Sequence, residues 1–342
     1  GAVQGPGTAV AGVEAVPPGA VRTLQLEEMG GWRDEGTERI WAFPSVLGRW
    51  SEEQAVRAVR RELSAAVKEH LLSDVPVAVF LSSGLDSTIV AGIAAGESSD
   101  VTSYTVGFRE QEDHSEVEMA ERTAREFGLR HEVVWMDEQD ALDAVEPWLR
   151  GLDQPCMDGL NTYVIAKAVA GEGLKVALSG QGGDELFGGY ASFADAPRLA
   201  RLLRWLSLLP EGGRRWLATM AGAGWSQVAK EKLADLFAVG SDVRSLARER
   251  RRVLSRKQVR ALVDGEGAVD GEIDVGWGSW SELERPTGDS IADVSRIETA
   301  YYLGNTLLPV GDTNGMAHSV EIRVPFLAQR ILNLVHQFPG AV

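Results

Sequence analysis

The sequence predicts an α/β fold, a doubly wound parallel sheet with an α-helical C-terminal extension. Three observations point to it. Four short apolar runs, at residues 75–81, 101–108, 131–136 and 174–179, alternate with stretches of helical periodicity at 88–95, 116–127, 139–150 and 160–170. That is the order of a parallel sheet covered by helices on both faces. The first and last of these runs end in loops of Ser, Gly and Asp, at the strand ends where open α/β sheets bind ligands. After Tyr190 the strand-like runs give way to Arg- and Trp-rich helical stretches at 201–209, 213–221 and 244–262, with a last helical segment starting near Ile291.

The elements follow in order. The opening GAVQGPGTAVAGVEAVPPGAVRTLQ breaks strand-like pieces with Gly and Pro, and reads as a β-hairpin edge without a partner sheet in this chain. At Ser51 the pattern changes to SEEQAVRAVRRELSAAVKEHLL, with Ser at a cap position, acids in the first turn and apolar residues at helical spacing. An amphipathic helix is expected there. The βα alternation comes next, then the helical part, which a turn-rich acidic stretch at 264–289 divides from the last segment.

Composition narrows the function. The 342 residues, 44% hydrophobic and 25% charged, are those of an ordinary globular protein. A net charge of −16 works against non-specific binding of nucleic acid or an anionic membrane, since both need a positive field. The RERRR cluster at 248–252 is accordingly expected to be a solvated helix face. No apolar run approaches membrane-spanning length, and residues 1–21 lack the pattern of a signal peptide. Cys156 is the only cysteine, which excludes an internal disulfide and a Cys-rich zinc site and makes a reducing, cytoplasmic setting the simplest expectation. His131 and His318 stand alone and are expected in packed, hydrogen-bonded settings, and the ten Trp as packing anchors.

Chemistry is concentrated in the two loops. The run at 75–81 leads into Ser82-Ser83-Gly84-Leu85-Asp86-Ser87 and then a helix. Small residues let amides and hydroxyls close around a phosphate, and the helix start adds unpaired N–H donors and the positive end of its dipole. Asp86 would repel a bare phosphate, so its presence suits a Mg²⁺ held between the acid and the phosphates. No GxxxxGK[ST] occurs, so this is not a Walker loop; taken alone, an ordinary Ser-capped helix fits the segment too. The second loop, Ser179-Gly-Gln-Gly-Gly-Asp-Glu-Leu-Phe-Gly-Gly-Tyr190, is so rich in glycine that its backbone is expected to need positive φ or close approach to a ligand. If the strands leading into the two loops are sheet neighbours with the order reversing between them, Asp86 and Asp184 face one another and share a metal over a pyrophosphate.

These residues carry a family resemblance. SSGLDS resembles the SGGxDS pyrophosphate loop of ATP pyrophosphatases, and SGQGGDELFGGY resembles the second signature of glutamine-hydrolysing asparagine synthetases, in their C-terminal synthetase domain. Asp153-Gln-Pro with Asp158-Gly-Leu-Asn-Thr-Tyr163, the Thr105-Val-Gly-Phe108 segment and Met316-Ala-His-Ser-Val-Glu-Ile-Arg-Val-Pro-Phe-Leu327 fit the same family, in family order. The resemblance implies an ATP pyrophosphatase-type fold and a ligase that uses ATP and Mg²⁺ to adenylate a carboxylate, with the aspartate side chain as leading candidate, before ammonia attacks to form the amide. By motif position, Ser82, Ser83, Gly84, Leu85, Asp86 and Ser87 would hold pyrophosphate, and Asp86 and Asp184 the metal. Leu81 and Val106 would contact adenine through their backbone, Ser179 and Gly180 would line the adenylate, and Gln181 would stand with Asp86 and Asp184 at the catalytic centre. Residues 1–50 would be the end of a glutaminase domain plus a linker. Residues 51–342 would be the synthetase domain, with an α/β core at 51–190 and a helical part at 191–342 truncated at its C-terminus. A glutaminase domain or subunit is the implied partner, a homodimer is compatible with the family, and glutamine hydrolysis by this chain is not expected, because the family nucleophile is an N-terminal cysteine.

Departures from the pattern gather on the acceptor side. Gln181 replaces a Glu, and its amide orients groups but takes no proton. Gln154 replaces a Glu, Pro309 stands where a basic residue is common, Gly315 replaces a Ser and Ala328 an Asp. Ser83 replaces a Gly, which is harmless only with negative φ. Two alternatives stay open: a specialised relative acting on another carboxylate, of the β-lactam synthetase or lasso-cyclase type, and a non-catalytic binding module. Glu321 and Arg323 are expected to form a structural ion pair, and Glu185 to cap the helix that follows it.

Overall fold

A computed structural model describes residues 3–28, 30–110, 115–208, 226–262 and 280–340. Five strands, β3 (Val77–Phe80), β4 (Thr102–Phe108), β5 (Arg130–Met136), β6 (Val176–Leu178) and β7 (Glu321–Arg323), form one sheet in the order β5-β4-β3-β6-β7, with every pair parallel. Helices α1 (Glu52–His70), α2 (Leu85–Glu97), α3 (Ser115–Phe127), α4 (Glu138–Gly151), α5 (Leu160–Gly171) and the short α6 (Gly183–Phe187) connect and flank it.

The central strands β3 and β6 are apolar throughout because both faces are covered. Val77 and Val79 pack with Leu63 and Val67 of α1 and Val90 and Ala94 of α2. Ala78, between them in sequence, joins Tyr104 against Ile165, Ala166 and Val169 of α5 on the other face. The helices expected in the α/β part and the four expected strands are present, with ends shifted by a few residues. The expected cap forms too: the Ser51 side chain accepts from the Gln54 N–H while the Gln54 side chain accepts from the Ser51 N–H, a box whose cap is worth about 1 kcal/mol.

Strand β7 is new relative to the sequence reading, three residues long and too brief for a periodicity signal. Arg323 bonds Glu321 at 2.9 Å and the carbonyls of His70 and Leu72 at 2.7 and 2.8 Å, tying the edge strand to the end of α1. The expected structural ion pair is therefore present.

The opening residues differ from the expectation. Apart from an isolated bridge between Gly7 and Glu14, the described ones form no strand before β1 (Ala20–Leu26), which pairs antiparallel with β2 (Trp32–Arg39) into a largely exposed two-stranded hairpin. Helices follow the second loop: α7 (Ala191–Leu206), α8 (Gln227–Ala238), α9 (Val243–Arg250), α10 (Arg256–Leu262), α11 (Ser290–Ile297), a π-helical stretch Glu298–Leu307, α12 (Leu308–Met316) and α13 (Gln329–Val335). The single helix expected at 244–262 is two, because Ser255 caps α10 by accepting from the Gln258 N–H at 3.1 Å. The helix expected at 213–221 and most of the acidic stretch lie outside the described residues. Phe43, Phe193, Leu203, Leu246, Trp280 and Ile297 form the core of this helical layer. Among the described residues no helix is long and apolar enough to cross a membrane.

Candidate active site

Strands β3, β4 and β5 step away in one direction and β6 joins β3 from the other, so the chain order reverses between β3 and β6. The loops after these two strands open onto one cleft of ≈ 860 Å³, within the usual range for small-molecule sites. Leu81, Ser82, Gly84, Leu85, Asp86, Ser87, Val106, Ser179, Gly180, Gln181 and Asp184 all line it. Ser83, in the same loop, is exposed and does not.

The first loop is held by its own hydroxyls. Ser87 Oγ accepts from the Ser82 N–H at 3.1 Å and lies 2.9 Å from Ser82 Oγ, and Ser82 Oγ accepts from the Gly84 N–H at 3.2 Å. Gly84 caps α2 without a side-chain bond, which leaves the first amides of a thirteen-residue helix facing the cleft. Ser83 needs no glycine: among the described non-glycine residues only Ser319 has positive φ. Below the loop, Thr105 Oγ1 donates to the Leu81 carbonyl at 2.5 Å and the Leu81 N–H donates to Tyr104 at 2.9 Å. Leu81 thus offers only a remaining lone pair, whereas β4 overhangs β3 by the residues around Val106.

Glycines let the second loop close on the first. A Cβ at Gly180 would stand 2.7 Å from the Ser87 N, and one at Gly183 would overlap the Asp86 carboxylate. Asp86 therefore sits against the start of α6, where it accepts the Asp184 backbone N–H. Burial, with the neighbouring Asp184 charge, pushes the Asp86 carboxyl up to about 6. The Asp184 carboxylate in turn lies in the space left by the missing side chain of Gly189.

Among the described residues, no cluster of three or more His, Cys, Asp or Glu forms a self-sufficient metal cage. Two carboxylates beside a phosphate-sized nest instead match Mg²⁺, which takes one or two carboxylates and completes its shell with substrate phosphates and water. The raised Asp86 carboxyl fits as well, because a cation between the two acids would relieve their repulsion.

The wall behind Asp184 was not legible from the loops. Glu185 is buried, and its carboxylate accepts from the Tyr190 hydroxyl at 2.6 Å, so it fastens α6 to the end of the loop instead of merely capping a helix. Burial holds the Glu185 carboxyl above the usual range. Arg251 stacks between the rings of Tyr190 and Tyr302, at 4.2 and 3.7 Å, and bonds the fully buried Glu298 at 2.8 Å. Ser192 Oγ donates to the other Glu298 oxygen at 2.5 Å. RERRR is consequently not a solvated face: Arg250 pairs with Asp195, Arg252 with Glu249, and Arg251 reaches inward. On the acceptor side, Gln181 Oε1 would lie 3.2 Å from a Cβ at Gly311 of α12, and Leu307 and Asn161 complete the rim. His131 lies away from the cleft, its Nδ1 2.9 Å from Ser103 Oγ, and His318 packs edge-on against Tyr163.

A family model described as asparagine synthase matches residues 58–342. The chain belongs to the asparagine synthase family. Amidase chyE of Penicillium rubens is 30% identical over 334 residues, covering 85% of this chain and 47% of that protein. Asparagine synthetase [glutamine-hydrolyzing] 1 of Bacillus subtilis is 26% identical over 293 residues, 84% of this chain and 44% of its own. A putative glutamine-hydrolysing asparagine synthetase of Mycobacterium tuberculosis is 29% identical over 279 residues, 81% of this chain and 41% of its own. This asparagine synthase-family chain thus spans less than half the length of each of these relatives. Among solved structures, an NH3-dependent NAD synthetase from Campylobacter jejuni aligns with 40% of the chain and 61% of its own, at 16% identity and a TM-score of 0.29.

Proposed function

We propose that the chain is the ATP-dependent, amide-forming part of a ligase, which adenylates a carboxylate with release of pyrophosphate and then lets ammonia displace AMP. The observation that carries this reading is the adjacency of Asp86 and Asp184 at the switch point, beside the open amides of α2. In this mechanism the carboxylate oxygen attacks the α-phosphorus of ATP and the bond to the β-phosphate oxygen breaks. Ser82, Ser87 and the α2 amides hold the departing pyrophosphate. Asp86 and Asp184 would hold Mg²⁺, whose charge would offset that of the leaving phosphates. Ser179 and Gly180 line the adenylate, Val106 and the free lone pair of Leu81 face the adenine, and enclosure keeps water from the mixed anhydride. Ammonia then attacks the carbonyl, and AMP and a proton leave; Gln181 orients the acceptor without taking that proton. Residues 1–50 are read as the tail of a preceding domain, 51–190 as the α/β core and 191–342 as its helical part, with a glutaminase as the source of ammonia. The relatives named glutamine-hydrolysing support that source.

The test is pyrophosphate release from Mg·ATP across a panel of carboxylates, with aspartate first as the substrate the family resemblance suggests. Release that depends on one carboxylate is expected. Tight Mg·ATP binding with no release on any carboxylate would instead favour a binding module.

A further inference from the structure

The charge of the cleft bears on which carboxylate is adenylated, an inference that rests on the adenylation reading above. Every charged side chain lining the cleft among the described residues is an acid: Asp86, Glu116, Asp184 and Glu185. At the acceptor end the wall is neutral. It comes from the π-helical stretch and the start of α12, and residues 299–311 contain no charged side chain. Leu307 lines the cleft and Gly311 meets the amide of Gln181. Two described cations beside cleft-lining residues, Arg251 next to Tyr190 and Arg109 next to Phe108, are otherwise engaged. Arg251 lies behind Tyr190, stacked and paired with Glu298, and Arg109 at the end of β4 turns over Trp135, 5.9 Å from its ring centre.

A carboxylate taken out of water needs a cation or several donors, and one set beside another acid is repelled as well. The nucleotide phosphates meet amides, hydroxyls and a metal pair of acids. A second carboxylate on the acceptor would meet Leu307, the Gln181 amide and the buried Glu185. We infer that the acceptor is a carboxylic acid whose remainder bears no second negative charge, and that aspartate is excluded by its α-carboxylate.

Matched pairs decide this. ATP–pyrophosphate exchange on the chain with Mg²⁺ would be measured for aspartate against β-alanine, which is the same molecule without the α-carboxylate. Glutamate against 4-aminobutyrate, and succinate against butyrate and 3-phenylpropanoate, would extend the comparison. Exchange with at least one monocarboxylate, about a hundredfold or more above its dicarboxylate twin in kcat/KM, is expected. Leu307→Lys, which brings an ammonium to the neutral wall, is expected to narrow that ratio about tenfold or more by lowering KM for the dicarboxylate. Aspartate or glutamate exchanging as well as the twin overturns the inference and leaves adenylation standing. Exchange with no carboxylate, despite calorimetric binding of Mg·ATP, removes the adenylation reading and the inference with it.

Discussion

The two ends of the cleft are built differently. The nucleotide end comes from two short loops, each contiguous in sequence, whose residues bond one another within five positions, as Ser82 does with Ser87. The acceptor end comes from pieces far apart in the chain: Asn161 on α5, Gln181 in the second loop, and Leu307 and Gly311 on the helical layer. In the proposed function, the chemistry common to the family is thus written locally, and the choice of substrate is written across the fold.

The contrast is open to attack from both ends. Asp86→Asn and Asp184→Asn should each cut pyrophosphate release about a thousandfold or more with the circular dichroism unchanged. Turnover retained in either variant would remove the proposed metal pair. Arg251→Met should leave Glu298 buried and unpaired and cost about 3 kcal/mol in urea unfolding; an unchanged midpoint would mean the helical layer does not depend on that pair. Gly183→Ala drives a methyl into the Asp86 carboxylate and should lower the rate about a hundredfold. Gly311→Ala asks Gln181 to yield only a few tenths of an ångström, so steady-state kinetics should show a change of about threefold or less. Equal effects of the two alanines would erase the contrast.

A last effect concerns how stability varies with pH. The Asp86 carboxyl lies at about 6 in the fold against 3.8 ordinarily. A raised acid means the native state takes its proton first, so without metal the wild type gains stability as pH falls from above 6 towards 4. Asp86→Asn removes the burdened charge and should stabilise the metal-free protein by about 1 kcal/mol near neutral pH, after allowance for water in the open cleft. The gain should vanish below about pH 4. A variant no more stable than wild type at pH 7.5 would contradict the burial of Asp86.

The difference between the ends also sets what the sequence reveals. The parallel sheet was legible because β3, β4 and β6 are largely buried on both faces, and these strands and β5 are each followed or preceded by a helix. The meeting of Asp86 and Asp184 at one cleft was legible because each lies in a loop of small residues that follows a buried strand. Strand β7 was not, since three residues carry no period, and its pairing with β6 comes from a segment more than 140 positions away. Nor was Arg251: a run of arginines looks solvated until Tyr190, from the second loop, and Glu298 and Tyr302, from the π-helical stretch, fold around one of them. The opening residues misled because Gly, Pro and Val spell out turns and strands without specifying a partner.

A double-mutant cycle on nucleotide binding tests the shared ion most directly. Calorimetry of Mg·ATP on the wild type, Asp86→Asn, Asp184→Asn and the double variant should give equal affinity losses for the two single changes, with no further loss in the double, because either change empties the same coordination site. Losses that multiply in the double variant would mean that the two carboxylates act independently, and that no single ion joins them.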